Sequence, residues 1–330
     1  MPETIRLGAI RCKVRIIFVI PLPTLPSPAL ARFIRRELDT DPPRASSLIV
    51  TVWGDAIAPV RDDAWLSTLF RFLAPFGVNE RAVRTGIYRL SRSGWFEADA
   101  VGRRSRYRLT APGKKGFEQA FHRVYDPPFV RWNGRWEGVI VGMDAIGPAA
   151  RNRVRDELSW AGFARFGGAV FLRPARRDGS IERIAASTHL GEAMTVFEAH
   201  DRVERGIATL RSRTMEAWSL ASLAADYQRF IAHFGGVADG ASGLEPDAEQ
   251  AFVLRVLLMH AYRRVRLRDP QLPRDVLPAD WPAARAYGLA RKLHRITRPG
   301  STTFADAIFA ELEVPARRKT RPAPRFGSPL

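Results

Sequence analysis

The feature that most constrains the fold is a change of hydrophobic period at Gly94. Before this glycine, Val83, Ile87 and Leu90 recur at the spacing that places them on one face of an α-helix. Asn79 stands just ahead of this pattern, where asparagine favours a helix start, and glycine favours a helix end. After Gly94 apolar and polar residues alternate, which is the period of a β-strand. The segment therefore predicts one helix that leads directly into strand structure.

The alternating pattern covers two arms that are joined by a basic turn. Phe96, Ala98 and Ala100 alternate with acidic residues, and Tyr107 and Leu109 alternate with arginines. The letters VGRRS lie between the two arms. Alternation on both sides of a glycine-containing turn predicts a β-hairpin, here with arginines at its tip.

Two further helices are predicted ahead of this unit. The letters SSLIVTVWGDAI form an apolar run with a serine start, and DDAWLSTLFRFLAPFG begins with aspartates that we expect to cap a helix. Leu66, Leu69, Phe70 and Leu73 follow the helical spacing within the second run. Three helices followed by a hairpin are typical of a winged helix-turn-helix. We therefore predict such a domain over residues 46–126.

The polar face of the third helix and the hairpin are rich in arginine. Between Arg81 and Lys115 there are ten basic residues and two acidic residues. Arginine on a helix pairs with guanine edges in the major groove, and arginine on a wing suits phosphates or the minor groove. The predicted DNA-binding residues are Arg81, Arg84, Thr85, Tyr88 and Arg92 on the helix and Arg103, Arg104 and Arg106 on the hairpin. The alternative is a solvated basic surface without a ligand.

The composition is compatible with binding to a polyanionic partner but does not require it. The chain has 330 residues and a net charge of +18, an excess that favours nucleic acid or an anionic surface. An arginine-rich genome would produce the same excess. The single cysteine, Cys12, excludes an internal disulfide framework and fits a reducing cytoplasm. The scattered histidines lack metal-hydrolase spacing, so we predict no metal, no cofactor and no catalytic residue.

Both ends of the chain are expected to lie outside the folded domains. The letters RCKVRIIFVIPLPTLPSPALA faintly resemble a secretory signal, but prolines interrupt the apolar run and it is too short to span a bilayer. We therefore expect residues 1–45 to be a poorly ordered extension and the protein to have no membrane partner. Residues 313–330 are basic and proline-rich, which predicts a disordered tail.

The rest of the chain predicts an α+β multidomain protein. Strand, helix and further strands over residues 127–205 indicate a ferredoxin-like domain. Residues 206–312 hold long amphipathic patterns and predict a helical domain.

Several segments resemble the PaaX family of transcriptional repressors of phenylacetic acid degradation operons. The letters SLIVTVWGDAI, APFGVNERAVRTGIYRLSRSGW and VGRRSRYRLT carry this resemblance in the first block, and GRWEGVIV, ELSWAGFARFGGAVFLRP and AWSLASLAADYQRFIAHF carry it downstream. It covers roughly residues 46 to 293. It implies a homodimeric repressor, not an enzyme, that binds double-stranded operator DNA and is released by an aryl-CoA thioester such as phenylacetyl-CoA. By position, Arg81, Arg84, Thr85 and Tyr88 take the recognition-helix role, and Arg103, Arg104 and Arg106 take the wing role.

The resemblance also bears on the central and last domains. The family's central domain is similar to the Cas2 fold, whose nuclease members place an aspartate after the first strand, where Asp144 stands here. A metal-dependent nuclease is therefore the alternative function, although a turn residue at this position is the simpler interpretation. A CoA thioester needs cations for its phosphates and an apolar slot for its acyl group. The candidate effector residues are Arg263, Arg264, Arg266 and Trp281; surface arginines and a packing tryptophan are the alternative.

Overall fold

The computed structural model describes residues 28–129, 132–142, 144, 146–176, 178–189, 191–201, 209–240, 246–312 and 325–327. The first block is helical and carries one small sheet. Its elements are α1 (Pro28–Thr40), α2 (Ala45–Val52), β1 (Asp63–Trp65), α3 (Leu66–Leu73), α4 (Glu80–Arg92), β2 (Phe96–Val101), β3 (Arg104–Leu109) and α5 (Ala111–Tyr125). A five-residue π-helical segment, Trp53–Ile57, continues α2 without a break.

The third predicted helix and the hairpin form as the sequence indicates. The Asn79 side chain caps α4 by accepting a hydrogen bond of 2.9 Å from the backbone N–H of Ala82. Gly94 follows the helix with a φ of 78°, in the left-handed region that glycine adopts without strain. The strands β2 and β3 then pair antiparallel from Phe96 opposite Leu109 to Val101 opposite Arg104.

The expected aspartate caps of the second helix are absent from α3. Asp63–Trp65 instead forms β1, an edge strand that pairs with β3, so the sheet order is β1-β3-β2. Trp65 occupies the N-cap position of α3 and makes no side-chain cap hydrogen bond there. The residues around α3 do not indicate β1, because the strand that pairs with it, β3, lies about forty residues further along the chain.

The central block forms a four-stranded antiparallel sheet with two helices. Its elements are β4 (Arg135–Val141), α6 (Pro148–Trp160), β5 (Ala164–Gly167), β6 (Val170–Pro174), α7 (Ser180–Thr188) and β7 (Met194–His200). The spatial order is β5-β6-β4-β7. The succession β-α-β-β-α-β is that of ferredoxin-like domains, as the sequence predicted. Val139, Val154, Leu158 and Phe171 belong to an apolar core between this sheet and its helices.

The last block is helical and is built around one deeply buried helix. Its elements are α8 (Thr214–Ala217), α9 (Leu220–Asp239), α10 (Ala248–Arg266) and α11 (Ala283–Leu312). Most side chains of α10 are buried. In the described parts of the chain, no helix is long and apolar enough to cross a bilayer.

The first and last blocks share one apolar core. Phe252 of α10 lies with its ring centroid 5.4 Å from that of Phe72 in α3, and it also packs on Phe76. Phe309 of α11 approaches Phe72 edge-on at 5.4 Å. Helix α3, which contacts α4, therefore packs directly on α10 and α11.

Parts of both chain ends are folded, which corrects the expectation of a poorly ordered extension and tail there. Within α1, Leu30 is buried and the Phe33 ring packs against Phe234. Near the carboxyl terminus, Arg325 and Phe326 are also buried. Apolar burial stabilises these segments, although their basic and proline-rich flanks resemble disordered sequence. The signal-like segment before Pro28 lies outside the described residues.

Candidate nucleic-acid interface

Helix α4 presents its predicted polar face to solvent. Val83, Gly86 and Ile87 are buried against the first block, which fixes the orientation of the helix. All five predicted residues are exposed: Arg81, Arg84, Thr85, Tyr88 and Arg92. The exposed fraction of Tyr88 is 63%, which is high for an aromatic residue and leaves its ring available to a partner.

A close contact between α2 and α4 holds this face in position. The Gly86 Cα approaches α2 so closely that an added Cβ would lie 3.0 Å from the backbone nitrogen of Ser46 and from Ile49 Cδ1. Only glycine permits this approach without displacement of one helix. The two helices are therefore in direct steric contact at Gly86.

The polar face is partly organised by contacts of its own. The Arg84 guanidinium lies 3.4 Å from Glu80 Oε2 and 4.8 Å from the ring centroid of Phe70. The Thr85 hydroxyl donates to the Arg81 carbonyl at 2.9 Å. Exposed ion pairs of this kind contribute little to stability, so Arg84 can exchange Glu80 for another anion at small cost.

The three arginines predicted on the hairpin have different surroundings. Arg103 is exposed in the turn beside Gly102, whose φ is 60°. Arg104 lies over the Trp65 ring at 4.2 Å and donates to the Leu312 carbonyl at 3.3 Å. Arg106 is half-buried and donates to Asp63 Oδ1 at 2.8 Å. The structure therefore places Arg103 at the hairpin tip, whereas Arg106 braces β3 on β1.

Both acidic residues of the basic segment pair with one arginine. Arg108 donates to Glu97 at 2.8 Å and also contacts Asp99 across the β2–β3 pair. The acidic charge between Arg81 and Lys115 therefore lies on the hairpin, and the acidic residue of α4 is Glu80, at the start of the helix. Arg89 adds a further exposed cation to α4. A helical wheel could have identified Arg89. At 100° per residue it lies nearer than Arg84 to the direction opposite the apolar face.

A buried carboxylate joins the π-helical segment to three other segments of the chain. Asp55, in the π-helical segment, accepts hydrogen bonds from Arg255 Nε at 2.5 Å and from the Tyr125 hydroxyl at 2.8 Å. The guanidinium of Arg325 lies 3.1 Å away. Burial alone would raise the pKa of Asp55, but the charges of Arg255 and Arg325, with His294 nearby, hold it well below its usual value. The carboxylate therefore stays ionised and links α2, α5, α10 and the carboxyl-terminal segment.

Family models match all three blocks of the chain. The model described as PaaX-like protein matches residues 44–113, the PaaX protein central Cas2-like domain matches 130–210, and the PaaX-like protein C-terminal domain matches 218–307. The chain belongs to the PaaX family. This confirms the predicted family, and the match includes the hairpin and α4.

One relative and one solved structure extend this comparison. The transcriptional repressor PaaX of Escherichia coli (strain K12) is 29% identical over 279 residues, which cover 83% of this chain and 87% of the relative. The structure of the uncharacterized protein Rv0674 from Mycobacterium tuberculosis is 23% identical, with a TM-score of 0.49, and the match covers 80% of this chain and 98% of that one.

The four effector residues predicted for this PaaX-family chain lie in different environments. Arg263 donates to the Ser47 carbonyl at 3.4 Å and is half-buried. Arg264 is exposed, 3.6 Å from Asp41. Arg266 and Trp281 are buried, the former 3.2 Å from Asp269 Oδ2 and the latter in the helical core. The structure does not bring the four side chains into one site.

The alternative nuclease site of this PaaX-family chain receives no support. Asp144 is exposed. Among the described residues, no group of three or more His, Cys, Asp and Glu side chains is placed to hold a metal ion. The relative from Escherichia coli is named as a transcriptional repressor, which favours a regulator over an enzyme.

Proposed function

We propose that the protein is a transcriptional repressor that binds operator DNA through a winged helix-turn-helix. In this assignment α2, α3 and α4 form the helical part, α4 is the recognition helix, and the β2–β3 hairpin is the wing. The observation that carries the proposal is the exposed basic face of α4, with Arg81, Tyr88 and Arg92, together with the exposed Arg103 in the turn of the following hairpin.

The chemistry of this surface suits a duplex. A recognition helix places its side chains against base edges in the major groove, where arginine recognises guanine through two hydrogen bonds. The wing arginine Arg103 then meets phosphate oxygens, which position the protein but carry no sequence information. We further propose that the repressor acts in the cytoplasm as a homodimer, with two recognition helices spaced to meet half-sites about 34 Å apart or a multiple of this distance.

The family supports a proposal for relief of repression. An aryl-CoA thioester such as phenylacetyl-CoA is the effector that the PaaX resemblance implies. In our proposal its binding favours a conformation in which the two recognition helices no longer match the half-sites. The regulated genes are then those that degrade an aromatic acid.

The test compares substitutions on α4 with a matched substitution elsewhere. We expect Arg84→Ala and Tyr88→Ala each to weaken binding to the native promoter by about 1–3 kcal/mol, roughly 5- to 150-fold. Arg153→Ala removes the same charge from the exposed surface of α6 and should leave affinity within about twofold at fixed salt. Fluorescence anisotropy on the promoter and on a shuffled duplex measures both affinity and specificity. Equal losses for Arg84→Ala and Arg153→Ala, or equal wild-type affinity for both duplexes, would reject the assignment of α4.

A further inference from the structure

The carboxyl-terminal segment, residues 325–327, is inserted between the first and last blocks. Its side chains Arg325 and Phe326 are 4% and 2% exposed. The Arg325 guanidinium reaches the π-helical segment, whereas the Phe326 ring lies among aromatic side chains of α5, α10 and α11. The two neighbouring side chains therefore occupy two chemically different parts of one buried site.

The polar part of the site offers two backbone carbonyls that a proline deprives of a helical donor. Pro59 stands where a π-helix would supply the donor for the Gly54 carbonyl and an α-helix the donor for the Asp55 carbonyl, and proline has no N–H. Arg325 donates to these carbonyls instead, at 2.5 Å to Gly54 and at 2.7 Å to Asp55. Its guanidinium therefore completes the hydrogen bonding of the segment that continues α2.

The same part of the site is complementary to a guanidinium in charge and in shape. The Asp55 carboxylate lies 3.1 Å from Arg325 Nη1, and the Tyr125 ring lies beneath the guanidinium with its centroid 5.0 Å away. Charge-assisted hydrogen bonds and stacking on an aromatic ring are the interactions by which proteins recognise arginine. A lysine ammonium is a point charge and cannot reproduce this planar fork of donors.

The apolar part of the site encloses the Phe326 ring with other rings. The centroids of Tyr125, Tyr287 and His294 lie 5.1, 5.3 and 5.1 Å from that of Phe326, within the range of favourable aromatic pairs. The φ of Phe326 is 52°, a left-handed conformation that is unfavourable for a bulky residue. The contacts of the site therefore hold the segment in a conformation that the free chain would rarely adopt.

The walls of the site also have contacts that do not involve residues 325–327. The Asp55 carboxylate accepts from Arg255 Nε at 2.5 Å and from the Tyr125 hydroxyl at 2.8 Å. Helices α10 and α11, which carry the other aromatic residues, pack along each other. The walls are therefore linked to one another independently of the carboxyl-terminal segment, as the walls of a binding site are linked independently of its ligand.

We propose that this is a peptide-binding site for an arginine followed by an aromatic residue, and that the chain fills it with its own carboxyl-terminal segment. The bound Arg325 fixes the end of the helix that begins as α2, and α2 is in direct steric contact with α4 at Gly86. Occupancy of the site therefore supports the recognition helix, and loss of the segment weakens operator binding. This last step rests on the proposed repressor function, whereas peptide binding does not.

The test separates the segment from the full-length chain after the protein has folded. A recognition sequence for a site-specific protease is inserted after Lys319, and cleavage of the folded protein is followed on a denaturing gel. The cut protein is titrated with a fluorescent peptide of residues 320–330, in competition with unlabelled peptides. Uncut protein is the control, because its own segment occupies the site at a high effective concentration. Circular dichroism before and after removal of the fragment reports on the fold.

We expect the cut protein to exchange its fragment for the labelled peptide, and the uncut protein to bind at least about tenfold less of it. Unlabelled peptides with Arg325→Ala or Phe326→Ala should compete at least about tenfold more weakly than the natural sequence. A peptide with these two residues in reverse order keeps charge and composition, and should compete as weakly. Removal of the fragment should lower promoter affinity about fivefold or more, and the natural peptide should restore it.

Three results would overturn the proposal, and they differ from failure of the repressor function. If the cut protein keeps its fragment against excess peptide, or loses its helical signal when the fragment leaves, the segment is part of the core and not a ligand. Equal competition by the reversed peptide would refute recognition of the arginine–aromatic pair. Peptide exchange with unchanged promoter affinity would refute the link to α4 while the repressor function stands. Absence of promoter binding by uncut protein would refute the proposed function, and peptide exchange would still decide the site.

Discussion

The buried carboxylate of Asp55 gives a prediction about what holds the first and last blocks together. The substitution Asp55→Asn removes one negative charge and keeps the size of the side chain and an oxygen that can accept from Tyr125. The side chains of Arg255 and Arg325 are 5% and 3% exposed, so their charges would be left in a region nearly inaccessible to water. Removing one partner from such a buried ion pair costs about 3–5 kcal/mol. That loss is a fifth or more of the stability of a typical domain, which is about 5–15 kcal/mol.

Urea denaturation at pH 7, followed by tryptophan fluorescence, measures this loss. The control is Asp99→Asn, because Asp99 also pairs with an arginine but its side chain is 49% exposed. We expect the control to lose less than about 1 kcal/mol, as exposed ion pairs do. A second substitution, Arg255→Met on the Asp55→Asn background, should recover part of the stability because it removes a buried cation. A loss below about 1 kcal/mol for Asp55→Asn would refute the reasoning.

Three further predictions concern packing and pH. Gly86→Ala should destabilise the protein by about 1–3 kcal/mol and weaken promoter binding, because the added Cβ would meet the α2 backbone. The control is Gly288→Ala, which should be neutral or slightly stabilising because an added Cβ there meets nothing within 4 Å. Equal denaturation midpoints for the two variants would contradict this prediction. Phe326→Ala should lower the free energy of unfolding by about 3 kcal/mol in the same assay, because Phe326 is 2% exposed and belongs to the apolar core. An unchanged midpoint would show that the carboxyl-terminal segment does not contribute to stability. Burial and nearby arginines lower the pKa of both His260 and His294 from 6.5 to about 4. As the pH falls, these side chains are therefore protonated in the unfolded state before they are protonated in the folded state. Stability is then fully present above about pH 6.5 and falls as the pH drops towards 4, by about 2 kcal/mol per histidine at pH 5. Equal free energies of unfolding at pH 7.5 and pH 5 would contradict this sign.

The local features of the candidate interface could be predicted from the sequence. The period of apolar residues determined which face of α4 is buried, and Asn79 and Gly94 marked the start and end of the helix. The hairpin followed from alternation and from a glycine at the turn. Each of these depends on residues close together in the chain, so the sequence pattern carries the information.

The features that the sequence missed depend on contacts between distant residues. Asp55 and Arg255 are 200 positions apart, and the sequence has no periodicity that links them. The strand β1 exists because β3 offers it a free edge, which the letters DAW do not encode. Arg106 alternates like an exposed wing residue, yet it pairs with Asp63 because β1 lies beside it. The packing of α10 beneath the first block follows from the tertiary fold and cannot be found by local periodicity.

A crystal structure of the full-length protein with its promoter duplex tests the central claim most directly. We predict that α4 lies in the major groove with Arg81, Arg84 and Tyr88 against base edges, and that the turn at Arg103 lies against phosphate oxygens. A complex in which α4 faces solvent and the duplex contacts another surface of the protein would contradict the account.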